Sequence, residues 1–258
     1  MSYELVELHY DEHFATVTMN NPKRRNSLSL KMMLELTDAL RAAGESNARG
    51  VILAANGPVF SSGHDFADMV GKDLLAMRHM LQVCTEMMDT IQAMRQPVLA
   101  RVHGLATAAG CQLVATCDLA VASTEAGFAT PGGKGGWFCT TPMVAVSRNV
   151  GRKRALEMLL TGDVIDAQTA SDWGLVNRVV PPEQLDAEVQ RLIEAATRGS
   201  FFSKQLGKQA FYAQIDLPQH QAYNHAIEVM ASASQLPDAQ EGMRAFLEKR
   251  HPHFQEPE

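Results

Sequence analysis

The 258 residues are 46% hydrophobic and 20% charged, a globular composition long enough for one large domain, or one domain with a small appendage. Lys and Arg number 23 against 29 Asp and Glu, a formal charge of −6, which excludes the broad basic surface that nucleic acid requires. No run of about 18 apolar residues is available to span a bilayer, so no membrane partner is expected.

The N-terminal MSYELVELHYDEHF alternates like a strand and carries acids, unlike a signal or transit peptide. Within it, Tyr3–Leu8 and then Ala15–Met19 keep period two across Tyr10-Asp-Glu-His, which predicts a hairpin. Ser29 is placed to cap a helix with Met33, Leu36, Leu40 and Ala43 on one stripe, ending at Gly44. Val51–Ala55 is a short apolar run of the kind a buried parallel strand uses. A helix rich in Met and Leu follows over roughly 73–94, with Asp65 and Asp68 read as caps of the helix starting nearby. Pro97 introduces a second buried strand, Val98–Val102. A loop over 103–108, a helix over 109–116 and a strand at Leu119–Ala122 continue the alternation, with right-handed crossovers expected. Beyond about residue 165 strands nearly stop. Pro181-Pro182 opens a helix with Leu185, Val189, Leu192 and Ile193 on one face, and helices cover about 201–215, 217–234 and 237–249. This reads as an α/β core over residues 1–195 and a helical tail over 196–258. A tail with so little sheet to cover is expected to pack on another subunit.

Two small-residue loops follow buried strands: Val59-Phe-Ser-Ser-Gly-His-Asp-Phe66 and Gly104-Leu-Ala-Thr-Ala-Ala-Gly110. Loops at the carboxyl ends of parallel strands are where α/β folds place ligands, and small residues admit a ligand close to backbone. If the N–H groups of His64 and Ala109 point at one spot they form an oxyanion hole, the second backed by a helix N-terminus; otherwise the loops are tight turns. In GLATAAGCQLVATCD the first long polar side chain on the helix is Gln112, which hydrogen-bonds but does not titrate near neutrality. Cys84, Cys111, Cys117 and Cys139 lack metal-ligand spacing, and no histidine adjoins Cys111 or Cys139 to activate it. Reduced, buried thiols, no metal and a cytoplasmic location are expected. His79 reads as a surface or satisfied histidine, Asp118 as structural, and Trp137 with Phe138 as the wall of an apolar chamber or as core.

FSSGHDF, HGLATAAGCQLVATCDLAVAS, EMLLTGDVIDAQTASDWGLVNRVV and FLEKRHPHF, in that order, resemble the enoyl-CoA hydratase/isomerase (crotonase) family. The resemblance runs from NNPKRRNSLS to the C-terminus. It implies a crotonase-like spiral of ββα units with a C-terminal helical trimerisation region, and homotrimers or dimers of trimers. It also implies an acyl-CoA thioester as ligand, with coenzyme A as part of the substrate and no separate cofactor. The thioester oxygen would lie between the N–H groups of His64 and Ala109, the latter usually a glycine in the family. Ligand contacts implied by position are Arg24, Asn26, Ser62, Asp65, Phe66, Thr107, Gly132, Trp137, Phe138 and Lys249. Lys23, Arg24 and Arg25 fall where the family contacts the coenzyme's phosphates and adenine, and Lys249-Arg250 matches a basic pair that reaches a neighbour's nucleotide.

The family's hydratases add water with two glutamates, and here those positions hold Gln112 and Gly132. Positioned acid–base groups contribute about 10²–10⁴-fold, so ordinary hydration is not expected. Three activities follow from the resemblance. One is an acyl-CoA lyase or isomerase with Gln112 orienting water. Another is decarboxylation of a malonyl-type thioester, because SGHDF followed by FATP resembles the family's methylmalonyl-CoA decarboxylases, although Phe138 lacks the hydroxyl of their polar aromatic. The third is a non-catalytic acyl-CoA-binding subunit. TPGGKGGWFCTTPMVAVSRNVGRKRALEMLLTG and QEGMRAFLEKRHPHF look most like a mitochondrial branch of the family. Because no leader precedes the first strand, a bacterial cytoplasmic counterpart is expected.

Overall fold

A computed structural model of the protein describes residues 3–256. The chain opens with the expected hairpin, β1 (Val6–Tyr10) antiparallel to β2 (Phe14–Met19). Asp11 Oδ1 closes the turn by accepting from the N–H groups of His13 (2.8 Å) and Phe14 (2.7 Å). The first strand starts three residues later than alternation predicts. The reason is that the N–H groups of Glu4 and Leu5 donate to Glu35 Oε2 on the next helix, at 2.9 and 2.7 Å, and are lost to the ladder. That helix, α1 (Leu30–Glu45), is capped by Ser29, whose side chain accepts from Met32 N at 3.1 Å. Its stripe of Met33, Leu36, Leu40 and Ala43 is fully buried.

Three turns of a spiral follow. In the first, β3 (Gly50–Ala55) and β4 (Val59–Ser61) lead to α2 (Leu74–Ala93). In the second, β5 (Val98–Val102) and β6 (Leu105–Thr107) lead to α3 (Ala109–Thr116). In the third, β7 (Leu119–Ser123) and β8 (Gly127–Ala129) lead to α4 (Pro142–Val150). The first strand of each pair joins a six-stranded sheet, order β1-β2-β3-β5-β7-β10, and the second joins a four-stranded sheet, order β4-β6-β8-β9. Here β9 is Ile165–Asp166 and β10 is Arg178–Val180. Between successive spiral turns the pairing is parallel. β4 and β6 lie inside segments that read as loops, and at three residues each they are too short to show a period. The caps also differ from expectation. α2 is capped by Asp73, which accepts from Ala76 N at 2.8 Å. Asp65 instead caps a 3₁₀ turn over Phe66–Asp68, and Asp68 Oδ2 accepts from Leu30 N at 2.8 Å at the start of α1.

α5 (Arg152–Thr161) and α6 (Ala167–Trp173) precede β10, and α7 (Leu185–Thr197) covers the large sheet. Leu185, Val189 and Ile193 of α7 pack on Phe14, Ile52, Leu99 and Val121 as a second apolar cluster. The tail is α8 (Phe201–Gln214), α9 (Gln219–Ala233) and α10 (Pro237–Glu248). One buried ion pair ties α8 to the core. Lys208 Nζ lies 2.7 Å from Asp118 Oδ2 and donates to the carbonyls of Ile91 (2.8 Å) and Gln96 (2.9 Å), while Tyr212 Oη donates to Asp118 Oδ1 at 2.8 Å. Asp118 is therefore structural, as its position before a strand suggests. α9 buries none of its residues, and Tyr223, Ile227 and Met230 on it are exposed. Among the described residues no helix is long and apolar enough to cross a membrane.

Candidate active site

Two glycines press the loops after β4 and β6 together. Gly63 has φ +82°, and a Cβ there would stand 2.9 Å from both Ala108 Cβ and Thr107 O and 3.2 Å from Ala109 N. At Gly110 a Cβ would stand 2.5 Å from Ser61 O. Any side chain at either place would wedge the two backbones apart. Beside Gly63, His64 forms an isolated parallel bridge with Leu28: Leu28 N donates to Gly63 O at 2.8 Å and Asp65 N to Leu28 O at 3.4 Å. In such a bridge the bracketed residue turns its own N–H away from the partner strand, so the His64 N–H faces away from Leu28. Ala109 is the first residue of α3, and a helix's first N–H groups have no intrahelical acceptor. The residue before it, Ala108, is held at φ 50°, ψ −119°, with its N–H donating to Ala129 O at 2.9 Å. For an alanine that conformation costs about 1–3 kcal/mol and persists only where surrounding structure enforces it. Two N–H groups on adjoining, enforced backbones can receive one carbonyl oxygen.

Both loops open into a cavity of about 540 Å³. Eight residues expected at the ligand line it: Ser62, His64, Phe66, Thr107, Ala109, Gly132, Trp137 and Phe138. Leu81 of α2 and the segment 139–142 complete the wall. A larger hollow along α1 and α2 shares Leu81 with this cavity and another lies among the tail helices, but neither is lined by residues of these loops. Phe66, Trp137 and Phe138 remain 68%, 44% and 38% exposed.

Five expected contacts are not part of this wall. Asn26 is fully buried and spent on the fold, its Nδ2 donating to the carbonyls of Asn56 (2.8 Å) and Val59 (3.1 Å) while its Oδ1 accepts from Asn21 N (2.8 Å). Asp65 accepts from Arg24 Nη2 with both oxygens at 2.8 Å, from Ser27 Oγ at 2.9 Å and from Ala67 N at 3.0 Å. Those donors, Arg24 foremost, hold its carboxyl below the usual range. Asp65 thus braces the loop that carries His64, and Arg24 is half of that brace. Lys249 ends α10 in a left-handed conformation and is exposed. Gln112 is 6% exposed, and its Oε1 is buried without a hydrogen-bond partner.

Among the described residues lining the cavity there is no Asp, Glu, Lys or Arg. His64 is the basic group. Its ring centroid lies 6.3 Å from that of Trp137, its Nε2 is buried without a partner, and burial pushes its pKa down to about 4. It is therefore neutral at physiological pH. Burial raises the Cys139 thiol, whose Sγ accepts from Gly132 N at 3.3 Å, and pushes Cys111 up to about 12, so neither is a thiolate. At Gly132 a Cβ would fall 2.2 Å from Trp137 O and 2.8 Å from Cys139 Sγ, because the segment 132–139 folds back with Trp137 N donating to Gly132 O at 2.9 Å. Gly132 is thus both cavity wall and the seat of that fold. Sequence reasoning missed Ala108, Gly63 and Cys139 as parts of the site. Only the run of small residues around the first two signals them.

The model of the family described as enoyl-CoA hydratase/isomerase matches residues 10–257. The chain belongs to the enoyl-CoA hydratase/isomerase family. Enoyl-CoA hydratase domain-containing protein 3, mitochondrial, from Mus musculus is 47% identical over 240 residues, 92% of this chain and 79% of that protein. The crystal structure of enoyl-CoA hydratase from Mycobacterium smegmatis superposes with a TM-score of 0.94 at 44% identity, covering 97% and 98% of the two chains. The human enoyl-CoA hydratase domain-containing protein 3 structure gives 0.93 at 42% identity over 97% and 100%. The crotonase fold and the likeness to that branch of the family are as the motifs imply. The cytoplasmic location expected from the sequence is corrected: the relatives from Mus musculus, Rattus norvegicus and Homo sapiens, at 47%, 46% and 45% identity, are all named mitochondrial.

Proposed function

We propose that this protein binds an acyl-CoA thioester with the thioester oxygen between the N–H groups of His64 and Ala109, and acts on it as a lyase or isomerase without a carboxylate base. What supports this reading is that the loops carrying His64 and Ala109 are pressed together at Gly63 and both line a cavity whose described wall has no Asp, Glu, Lys or Arg. Donors aimed at a developing enolate oxygen supply the largest single stabilisation in such chemistry. Hydration, which needs water activated and a carbon protonated, is not the reaction. Gln112 orients a polar group or water from behind the wall. On this reading the cavity takes the acyl chain against Phe66, Trp137 and Phe138, and Arg24 and Lys249 are proposed contacts of the coenzyme's phosphates, Lys249 toward a neighbouring subunit's nucleotide.

A second reading within the same site is decarboxylation of a malonyl-type thioester. The bond to the carboxylate breaks, its electron pair passes to the α-carbon and the thioester oxygen as an enolate, carbon dioxide leaves, and one proton is taken up at the α-carbon. The absence of a carboxylate base from the described wall favours it, because breaking that bond consumes none. We read residues 196–258 as an oligomerisation region forming trimers or pairs of trimers, supported by the unburied apolar face of α9. A monomer in sedimentation at micromolar concentration contradicts that. The site is tested by titrating butyryl-CoA into the protein and into its Ala109→Gly and Ala109→Pro variants. Glycine keeps the N–H and should keep binding; proline removes it and, by restricting Ala108, displaces the start of α3. Normal binding and turnover by the proline variant refute the assignment.

A further inference from the structure

We propose that the imidazole of His64 is a second ligand contact in the cavity, distinct from its backbone N–H, and that it selects acyl-CoA thioesters whose acyl group carries a carboxylate, taking up a proton as they bind. The inference rests on the reading of this cavity as an acyl-CoA site and names its substrate class.

Three observations lead here. His64 is among the residues lining the cavity and its ring stands beside that of Trp137, its Nε2 is buried with no hydrogen-bond partner, and no other basic group belongs to the described wall. A buried polar atom without a partner is uncommon and calls for a reason such as a missing ligand. Phe138 and Phe66 offer no hydrogen bond to an acyl oxygen. The titratable groups nearby do not supply a competing charge. Cys139 and Cys111 are thiols kept protonated by burial, the Asp65 carboxylate is closed off by Arg24 at 2.8 Å, Asp68 accepts from Leu30 N, and Lys134 pairs with Asp163.

Desolvation by burial keeps the ring neutral, with its pKa pushed down to about 4. An acyl carboxylate entering the same low-dielectric space inverts that balance, since an opposite charge within a few ångströms favours the protonated ring. Carboxylate and imidazolium then neutralise each other, and a thioester with an apolar chain gains nothing from the ring. Under decarboxylation the same proton closes the cycle. Once carbon dioxide has left, the imidazolium N–H gives its proton to the α-carbon of the enolate and the ring returns to its neutral state. The proton consumed by the net reaction is the one taken up at binding.

The test is calorimetric titration at pH 6 in two buffers of different ionisation heat, with two matched ligand pairs. Succinyl-CoA is compared with butyryl-CoA and malonyl-CoA with propionyl-CoA, so that a carboxylate replaces a methyl and the coenzyme's own titration cancels. We expect each carboxylated ligand to take up more protons than its partner, by about half to one per site, with its affinity falling up to about tenfold per pH unit as pH rises. In His64→Gln the excess uptake disappears and the succinyl-to-butyryl affinity ratio drops by about tenfold or more, a ratio insensitive to any loss of folded protein. Equal uptake within both pairs, or an unchanged ratio in His64→Gln, overturns the proposal. If butyryl-CoA binds and succinyl-CoA takes up no extra proton, this inference falls and the thioester site stands. If none of the four ligands binds the unmodified protein, both fall.

Discussion

Gln112→Glu, Gly132→Glu and their combination ask whether the two positions that lack carboxylates can be refitted for hydration. Position 132 resists by geometry. A Cβ there would lie 2.2 Å from the backbone oxygen of Trp137 and 3.1 Å from Cys139 N, so the obstacle is main chain rather than a side chain able to swing away. Opening the segment breaks the bonds from Trp137 N to Gly132 O and from Gly132 N to Cys139 Sγ. Overpacking costs about 1–3 kcal/mol and two hydrogen bonds about 1 kcal/mol each, so Gly132→Glu should lose about 3–5 kcal/mol of stability. At about 2–4 °C per kcal/mol that is a fall in Tm on the order of 6–20 °C. Position 112 has room but is 6% exposed, and a carboxylate there has its pKa raised by desolvation. The assay is loss of the enoyl chromophore of crotonyl-CoA between pH 6 and 8, with Tm measured on each variant. We expect the unmodified protein to hydrate at least about a thousandfold more slowly than a hydratase with its acid–base groups in place, and Gln112→Glu alone to recover little. Robust hydration by the unmodified protein with a flat pH profile would falsify this reasoning, and so would a Gly132→Glu variant with unchanged Tm.

Ala108→Gly should stabilise the protein by about 0–2 kcal/mol, the relief of an alanine at φ 50° less the added freedom of the unfolded chain; denaturant titration showing a loss above about 1 kcal/mol would sink the strain argument. His64 makes stability fall in acid. Its pKa is about 4 in the folded protein against an ordinary 6.5, so the unfolded chain binds more protons between those values. The His64 contribution is then complete above about pH 6.5 and is lost, by about 3 kcal/mol, as pH drops to about 4. The difference in stability between pH 4.5 and 7 should shrink by about 2 kcal/mol in His64→Gln, and identical pH profiles would contradict it. Lys208→Met leaves Asp118, among the described residues, with Tyr212 and Val98 as donors and should cost about 2–4 kcal/mol; a loss below about 0.5 kcal/mol would mean that the pair does not hold α8 to the core.

The fold was legible wherever burial imposes a period. The stripe on α1, the apolar runs of β3 and β5 and the one-faced α7 all correspond to surfaces that disappear into the two clusters. β4 and β6 were not legible, because three residues carry no period and their pairing depends on neighbours distant in sequence. Cap assignments failed for a related reason: several aspartates lie within reach of a helix start, and tertiary contacts decide among them. Asp68 serves α1, from which 38 residues separate it, and the Asp65 carboxylate is claimed by Arg24. Eight cavity residues were legible through motif order, whereas Asn26 was misread because a polar residue inside a motif looks the same whether it faces ligand or backbone. The strain at Ala108 has no signature in the letters TAAG.

What separates the legible from the illegible part of the site also bears on its chemistry. The proposed oxygen-binding donors are main-chain groups, fixed by the close approach of Gly63 and Gly110 to the opposing backbone and by the enforced turn at Ala108. Such donors survive any side-chain change that keeps the two loops in contact, so alanine at 109 in place of a glycine costs them nothing. The acid–base groups are the reverse, since each is one side chain and is lost in one substitution. On the proposed reading, a scaffold of this kind would keep its affinity for thioesters while its reaction changed with a few wall residues. Where the resemblance implies carboxylates, this chain has an amide behind the wall and a glycine closed over by Trp137 O, and the wall carries a neutral imidazole. On the proposed reading the proton comes from a group that is buried uncharged, and among the described residues lining the cavity His64 is the basic one.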